Sequence, residues 1–393
     1  MRLRILALPA VLLVLAGGIW LGSHPTWLPG IVRDVLVDDE DTRVVEEAIA
    51  EVSASYYREI PERQLADAAV AGVVESLGDR FSAYFTPKEY ARYRQVQNSE
   101  FSGIGTTVAE DPLGLRIVTV YDGSPAERAG IRPGDRITAA NGTSLKGRTS
   151  EDATGLVKGP SGTSVRLTVR RDGKDRSVKV TRATVSVPQV ASDMRTYEGT
   201  RYGVVRLAQF GSGAHAEVYE AIRKVRERGA KGIVFDLRGN GGGLVSEAQL
   251  IASAFIAEGP IVTTRGRNVR TRTLRATGDP VAEDVPLVVL VDGDTASASE
   301  IVAGALQDGK RAPIVGTKTF GKGVFQEVIE LSNGGALDIT AGQYFTPSGR
   351  NLGGKGVSTG AGLRADVAAP DDPKTERDEA LPVALKALAA EAA

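Results

Sequence analysis

The sequence predicts a multidomain α/β protein, and three patterns along its 393 residues support this prediction. Apolar residues first recur at helical spacing, then alternate at strand spacing, and finally form strand-like runs separated by helical ones. The length allows two or three domains. We expect an apolar segment at 1–22, a helical platform at 38–98, a β-rich domain at 99–185, an α/β core at 187–367 and a C-terminal tail with a helix at 368–393.

The N-terminal segment predicts where the chain resides. Arg2 and Arg4 precede an apolar run from Ile5 to Leu21, which fits either a cleaved signal peptide or an anchor near the lower length limit for spanning a bilayer. No Ala-x-Ala cleavage site follows this run, so we favour a single-pass anchor in the cell membrane, with the rest of the chain outside the cytoplasm. If the segment is cleaved, the chain is exported.

The β-rich domain shows strand alternation and hairpin turns. Arg116 to Tyr121 alternates apolar and polar residues, and Asp172-Gly173 lies between the strand-like runs 165–169 and 177–180. We expect a small antiparallel domain here.

Two residues of the α/β core suggest a nucleophile and a base. Ser297 follows the strand-like run 287–291, and Lys322 follows the run 313–316. If the two strands are neighbours, a serine hydroxyl and a lysine amine can meet at one sheet edge. Ser297 and Glu300 also fit a capping box for the helix that follows, and the two interpretations are compatible. The N–H of Ala298 would then point to where an oxyanion forms.

A lysine acts as a base only if its pKa is lowered from about 10.4. Burial lowers a lysine pKa, and Phe320 and Phe325 flank Lys322 in the sequence and can supply a dry wall. The alternative is a solvent-facing lysine in a Gly-rich turn.

A second Gly-rich loop, 239–243, follows the buried strand pattern 231–238 and precedes the helical pattern 244–256. It lacks the spacing of dinucleotide and P-loop motifs. It is either an ordinary strand-to-helix turn or, opposite a nucleophilic serine, half of an oxyanion hole.

Composition excludes several classes of function. The 48 Lys and Arg residues balance 49 Asp and Glu residues, so no basic field for nucleic acid exists. Without cysteine there is no disulfide framework, cysteine nucleophile or cysteine zinc site. A Ser-His-Asp triad would need His24 or His215, and His215 fits the start of an amphipathic helix better. We expect no metal and no cofactor.

Together these segments resemble the tail-specific, or C-terminal processing, serine peptidases. The resemblance runs from about Thr42 to about Val367 and weakens after Arg350, where the family's usual ending is degenerate. The matching segments are 236–243, 297–300, Gln307-Asp308, Arg311-Ala312, 319–323, Gln326 and 344–350.

The resemblance implies roles for individual residues. Ser297 would be the nucleophile, Lys322 the general base, and Gln326 the residue that orients the lysine. Gly242 or Gly243, with the N–H of Ala298, would form the oxyanion hole. Glu300 and Asp308 would support the serine helix, and Asp308 is a weaker candidate for a third catalytic member. The core would resemble the crotonase-like α/β fold.

The β-rich domain resembles a PDZ domain, most clearly in the segment 124–137. Such domains add a peptide as an extra strand and hold its carboxylate on backbone N–H groups. The resemblance assigns that loop to Phe101, Ser102, Gly103, Ile104 and Gly105. The alternative is a small β-barrel that only spaces the other domains.

The sequence favours a serine endopeptidase that cleaves proteins with free apolar C-termini. An inert PDZ-containing scaffold would be expected to lose Ser297, Lys322 or Gln326, and an acyl-CoA enzyme would need neither the Ser-Lys pair nor a peptide-binding domain. An activating or adaptor protein and an oligomer stay open.

Overall fold

The computed structural model describes residues 40–354, 357, 360–372, 374–375 and 377–392, and it divides at Gly78 into two compact units. The predicted anchor at 1–22 lies outside the described residues. Within the described ranges, no helix combines the length and apolarity that crossing a bilayer requires.

The first unit contains two helices, α1 (Glu40–Ser55) and α2 (Glu62–Glu75). Both were predicted from helical spacing. The α1 side chains Val44, Val45 and Val52 are exposed. The role of this region as a platform stays a prediction.

The second unit begins with β1 (Ala83–Phe85) and α3 (Pro87–Gln97). Thr86 caps α3 in a capping box, because its N–H donates to Glu89 Oε2 at 2.9 Å and its hydroxyl accepts from Glu89 N–H. β1 lies within the region 38–98, where only helices were expected. This strand pairs with a strand of the α/β core, so the region predicted as purely helical supplies one strand to that core.

A six-stranded antiparallel sheet forms the β-rich domain, in the order β3-β4-β5-β7-β8 with β6 beside β5. The chain turns between β7 and β8 at Asp172 and Gly173, both with positive φ, as the hairpin pattern predicted. The elements are β2 (Glu100–Gly103), β3 (Thr106–Asp111), β4 (Gly114–Val120), α4 (Pro125–Arg128), β5 (Arg136–Ala140), β6 (Thr143–Ser144), α5 (Ser150–Val157), β7 (Ser164–Arg171), β8 (Lys174–Thr181) and β9 (Ala183–Ser186). A separate pair, β2 and β9, lies at the two ends of this domain's sequence.

The α/β core contains a six-stranded sheet in the order β10-β11-β12-β15-β16-β19, parallel from β11 to β19. A second, antiparallel sheet has the order β1-β18-β13-β14, with β17 beside β18. The elements are β10 (Val190–Tyr197), β11 (Thr200–Leu207), α6 (Ala214–Glu227), β12 (Ile233–Asp236), α7 (Val245–Ser253), β13 (Pro260–Gly266), β14 (Arg272–Arg275), β15 (Leu287–Val291), α8 (Ala298–Asp308), β16 (Ile314–Gly316), β17 (Val324–Glu330), β18 (Ala336–Phe345), β19 (Val367–Ala368) and α9 (Ala380–Glu391).

The parallel sheet is buried on both faces, which explains why its strands read as continuous apolar runs. Val289 of β15 packs with α6, α7 and α8 on one face, whereas Val288 and Leu290 pack with α9 on the other. Arg238 ties the tail to this sheet through Asp236, Asp371 and Asp378.

The predicted mixed α/β class is confirmed. The crotonase-like description of the core and the domain boundaries stay predictions.

Candidate active site

Three predicted segments follow neighbouring parallel strands of the core. In the register, Phe235 of β12 pairs with Val289 of β15, and Val289 pairs with Ile314 of β16. The Gly-rich loop, Ser297 and Lys322 therefore come after the carboxyl ends of three adjacent strands. Such ends form the usual ligand-binding edge of an open α/β sheet.

Ser297 lies at the turn into α8 in a strained conformation, with φ 55° and ψ −116°. Non-glycine residues in such regions persist only when their surroundings hold them. Asn240 supplies part of that hold, since its carbonyl accepts hydrogen bonds from Ala296 N–H (3.0 Å) and Ser299 Oγ (2.8 Å). The serine turn is thus fastened to the Gly-rich loop.

Gly242 comes close to this turn. A Cβ at Gly242, where φ is 103°, would lie 2.8 Å from Ser297 Cβ and 2.9 Å from Ala298 N. Only glycine fits this approach. The N–H of Gly242 donates to Asn240 Oδ1 at 2.9 Å.

Unlike the N–H of Gly242, the backbone N–H groups of Gly243 and Ala298 are available to a ligand. Neither donates a hydrogen bond within the part of the chain that the structure describes. Of the two predicted oxyanion glycines, Gly243 therefore has the available donor, whereas Gly242 provides space.

Glu300 joins the serine turn to the lysine loop. Its carboxylate is fully buried and accepts four hydrogen bonds. They come from Ser297 N–H (2.9 Å) and Lys322 N–H (2.9 Å) on Oε2, and from Gly321 N–H (2.8 Å) and Thr319 Oγ (2.6 Å) on Oε1. Burial raises the pKa of this carboxyl, and these hydrogen bonds oppose the rise.

The side chain of Lys322 reaches Gln326, to whose Oε1 its Nζ donates at 2.8 Å. Gln326 Nε2 in turn donates to Thr340 Oγ1 at 3.0 Å, which fixes the orientation of the amide. Among the described residues, no hydrogen bond joins Lys322 Nζ to Ser297 Oγ. The predicted pairing of lysine and glutamine is therefore present in the geometry, and the serine lies beside that pair in one cavity.

Burial lowers the pKa of Lys322, and the carboxylates of Asp338 and Asp79 oppose that shift. The aromatic wall lies at Phe81, whose ring centre is 4.9 Å from Nζ. Phe325 lines the same cavity, whereas Phe320 contacts Arg80. A dry wall was expected from Phe320 and Phe325, and Phe81 is the residue that the sequence reasoning missed.

The cavity of about 630 Å³ that holds Ser297 and Lys322 has walls of mixed charge. Arg270 and Arg272 line one part of it, and Glu327 and Asp338 another.

Two family models match separate segments of the chain. Residues 201–360 match the model of peptidase family S41, and residues 116–171 match that of a PDZ domain. A Staphylococcus aureus protein named "Probable CtpA-like serine protease" is 34% identical over 322 residues, which cover 81% of this chain and 64% of that protein. The chain belongs to the tail-specific serine peptidase family, with a PDZ domain.

One further relative and one solved structure are also similar to this chain. A Staphylococcus haemolyticus protein of the same name is 32% identical over 84% of this chain and 66% of its own length. An S41 protease structure from Bacteroides fragilis is 18% identical with a TM-score of 0.52, covers 90% of this chain and 98% of that one, and shares the fold. The chain spans just under two thirds of the length of the Staphylococcus proteins that it matches.

Asp308 lies away from the candidate site. It ends α8, whereas Ser297 precedes it, so an 11-residue helix separates them, roughly 16 Å at 1.5 Å per residue. Its carboxylate accepts from Ser348 N–H at 2.9 Å and pairs with Arg350. This position fits a support of the serine helix and gives no basis for a third catalytic member.

His215 also lies apart from the cavity. It lies at the start of α6, as its position in the amphipathic pattern suggested, and its Nδ1 is 2.8 Å from Glu247 of α7.

In the segment 101–105, which was predicted to hold a peptide carboxylate, only the last two residues leave their backbone N–H groups without a partner among the described residues. Phe101, Ser102 and Gly103 belong to β2 and pair with β9. The carbonyls of Ile104 and Gly105 accept from Ala126 and Tyr121, while their own N–H groups donate no hydrogen bond within the described chain. Beside this loop, β3 is an edge strand with β4 as its one neighbour in the sheet.

Proposed function

We propose that this chain is a serine endopeptidase that cleaves extracytoplasmic proteins near their C-termini, with Ser297 as nucleophile and Lys322 as general base. One observation carries the proposal. Glu300 holds the backbone of both residues at the ends of adjacent strands, beside a cavity with a buried lysine amine. A serine hydroxyl beside a partly desolvated lysine amine is the simplest pair of nucleophile and general base for acyl transfer.

In the first step, Ser297 Oγ attacks the scissile carbonyl carbon and its proton passes to Lys322 Nζ. The oxygen anion that forms is received by the N–H groups of Gly243 and Ala298. The tetrahedral intermediate then expels the amine, which takes the proton from Lys322, and an acyl-enzyme is left. Water hydrolyses this ester by the same path, with Lys322 as base again.

Gln326 has a defined part in this mechanism. A neutral amine has two N–H donors and one lone pair, and one donor is directed to Gln326 Oε1 at 2.8 Å. The lone pair is then free to turn to the serine when substrate is bound. Catalytic hydrogen bonds of this kind are often formed only in the substrate complex.

The PDZ domain would capture the substrate tail. A free α-carboxylate fits the open N–H groups of Ile104 and Gly105, and the peptide can continue as an added strand along the edge strand β3. This mode selects a free C-terminus, and we expect the last residues of the substrate to be apolar. The domain would extend over residues 99–185.

The location follows from the N-terminal sequence alone. Two arginines before an apolar run predict an anchor or export signal, so the peptidase core, residues 187–367, would face the outside.

Model tail peptides test the proposal directly. The Ser297→Ala enzyme should stop cleaving a peptide with a free apolar C-terminus and still bind it, measured by mass spectrometry and fluorescence anisotropy. Ser246→Ala is the matched control, since Ser246 lines the same cavity and should be dispensable. Cleavage by Ser297→Ala would refute the nucleophile. Tail binding without cleavage by the unmodified protein would favour the inert scaffold.

In cells, proteins captured from a wild-type and a Ser297→Ala strain would be compared by mass spectrometry. Substrates should accumulate on the inactive variant with their C-termini intact.

A further inference from the structure

The hairpin formed by β13 and β14 carries a concentrated positive charge. Residues 259–278 contain five arginines and no aspartate, glutamate or lysine, whereas the whole chain has a formal net charge of −1. A patch of one charge sign beside a cavity attracts ligands of the opposite sign. The five arginines are Arg265, Arg267, Arg270, Arg272 and Arg275.

Two of these arginines line the cavity that holds Ser297 and Lys322. Arg270 lies just before β14, and Arg272 is the first residue of that strand. Leu274, two residues further along, lines the same cavity, as expected for alternate residues of a strand that point to one face. The positive charge of the hairpin therefore reaches the space in which a substrate would be cleaved.

The hairpin is held in a fixed position relative to the Gly-rich loop. Arg272 pairs with Thr264 of β13, and the carbonyl of Arg275 accepts a hydrogen bond from Gln249 Nε2 of α7 at 2.7 Å. Helix α7 begins directly after the Gly-rich loop, whose Gly243 lines the cavity as well. The two arginines thus have a set place with respect to the available N–H of Gly243.

Both guanidinium groups are available to a ligand. Neither forms an ion pair or a hydrogen bond among the described residues, although Glu327 and Asp338 line the same cavity. A guanidinium presents five N–H donors in a planar fork that matches a carboxylate. A carboxylate is therefore the ligand group that suits Arg270 and Arg272 best.

We propose that Arg270 and Arg272 form a subsite for an acidic side chain of the substrate, close to the bond that Ser297 cleaves. This subsite selects protein tails with Asp or Glu near the cleavage point. It acts in addition to the PDZ domain, which would hold the α-carboxylate on the N–H groups of Ile104 and Gly105. The inference rests on the proposed function, because that function makes the ligand a substrate.

An anionic membrane surface is the alternative partner for a basic hairpin. Such a surface would contact the exposed Arg267, which lies in the turn between the two strands, at least as well as the two arginines of the cavity wall. A peptide that enters the cavity meets Arg270 and Arg272 instead. The position of these two arginines favours the peptide.

Matched tail peptides test the subsite. One series carries a single Glu at successive positions around the cleavage point, and a second series carries Gln at the same positions. For one position, kcat/KM should be about tenfold higher with Glu, since a charge-assisted hydrogen bond contributes about this much. The gain should lie mainly in KM, because the contact is made equally in the ground state and in the transition state. High salt should reduce it.

The double variant Arg270→Gln/Arg272→Gln should lose this preference, so that the Glu and Gln peptides have the same kcat/KM. The matched control is Arg267→Gln/Arg275→Gln. It removes the same charge from the same hairpin at two residues that are not among the described residues lining the cavity, and it should keep the wild-type preference.

Equal kcat/KM for Glu and Gln at every position in the unmodified enzyme would overturn the inference and leave the proposed function intact. Equal loss of the preference in both double variants would also overturn it, in favour of a general field of the hairpin. Binding to phosphatidylserine vesicles that both double variants lose, with no effect of peptide charge on cleavage, would favour the membrane surface instead.

Fluorescence anisotropy with Ser297→Ala separates the inference from the proposed function. The inactive variant should bind the Glu peptide about tenfold more tightly than the Gln peptide. This binding preference without cleavage by the unmodified protein would refute the peptidase and retain the anionic subsite. Cleavage with no binding preference would refute the subsite alone.

Discussion

The carboxylate of Glu300 accepts the backbone N–H of Lys322 at 2.9 Å, on the same oxygen that accepts the N–H of Ser297. One buried side chain thus sets the spacing of two loops that are 25 residues apart in sequence (322 − 297). The site geometry depends on this carboxylate more than on direct contact between the serine and the lysine.

Glu300→Gln should therefore damage both stability and activity. The amide keeps one oxygen and presents an NH2 group to two donors, so two hydrogen bonds are lost in a buried place. We expect the free energy of unfolding to fall by roughly 2–4 kcal/mol in urea titrations. Glu283→Gln, at an exposed position, is the control. An unchanged unfolding midpoint in Glu300→Gln would show that the carboxylate is not needed to join the loops.

Gly242→Ala should lower kcat without unfolding the protein. The added methyl would lie 2.8 Å from Ser297 Cβ and 2.9 Å from Ala298 N, in the space proposed for the oxyanion. Loss of oxyanion stabilisation is worth about 100-fold or more in kcat. Gly241→Ala is a close control, because a Cβ there meets nothing within 4 Å. Equal kcat values for the two variants would contradict the proposal that the oxyanion forms beside Gly242.

The rate should rise with pH as Lys322 loses its proton, since only the neutral amine accepts the proton of Ser297. Burial lowers the pKa of Lys322, so the rise should begin at lower pH than for a free lysine, provided that chemistry limits the rate. A flat profile from acid to alkaline pH would contradict the role of this lysine.

Asp338→Asn should move that profile further to acid pH. The carboxylate of Asp338 favours the charged lysine, and its removal lowers the lysine pKa again. Three groups surround the amine: the carboxylates of Asp79 and Asp338 and the ring of Phe81. The carboxylate of Glu300 accepts the backbone N–H of Lys322 instead. Glu327→Gln, in the same cavity, should leave the profile in place. A shift to alkaline pH in Asp338→Asn would reverse the proposed electrostatics.

Amidation of the substrate C-terminus should weaken binding by about 1.5–3 kcal/mol, the range for a charge-assisted hydrogen bond. The loss should appear in KM and in the dissociation constant for Ser297→Ala, with kcat little changed. Equal cleavage of free and amidated peptides would mean that the PDZ domain does not select substrates by their carboxylate.

Much of this arrangement could be predicted from sequence. Apolar runs before Ser297 and Lys322 located the strands, and small or Gly-rich segments after them located the loops. No local sequence pattern shows that β15 and β16 are neighbours in the sheet. The family resemblance, and not the periodicity of apolar residues, suggested that Ser297 and Lys322 act together.

Residues that act from a distance in sequence were missed. Phe81 and Asp79 lie in the region expected to be helical, yet the strand β1 that follows them pairs with β18 and brings them to Lys322. Asp338 and Thr340 lie two residues apart in β18 and fit an ordinary strand pattern, so nothing in the sequence marks them. The pairing of β17 with β18 places them near Gln326. Asp308, which the resemblance offered as a helix support and as a weaker candidate for a third catalytic member, lies at the end of α8 away from Ser297.

The most direct test of the account is covalent labelling with a fluorophosphonate, mapped by peptide mass spectrometry. The reagent forms a bond from phosphorus to an activated serine oxygen and releases fluoride. The account predicts a single adduct on Ser297, formed faster as pH rises, and lost in Lys322→Arg because arginine cannot be deprotonated in proteins. An adduct on another residue, or undiminished labelling of Ser297 in Lys322→Arg, would contradict the Ser-Lys mechanism.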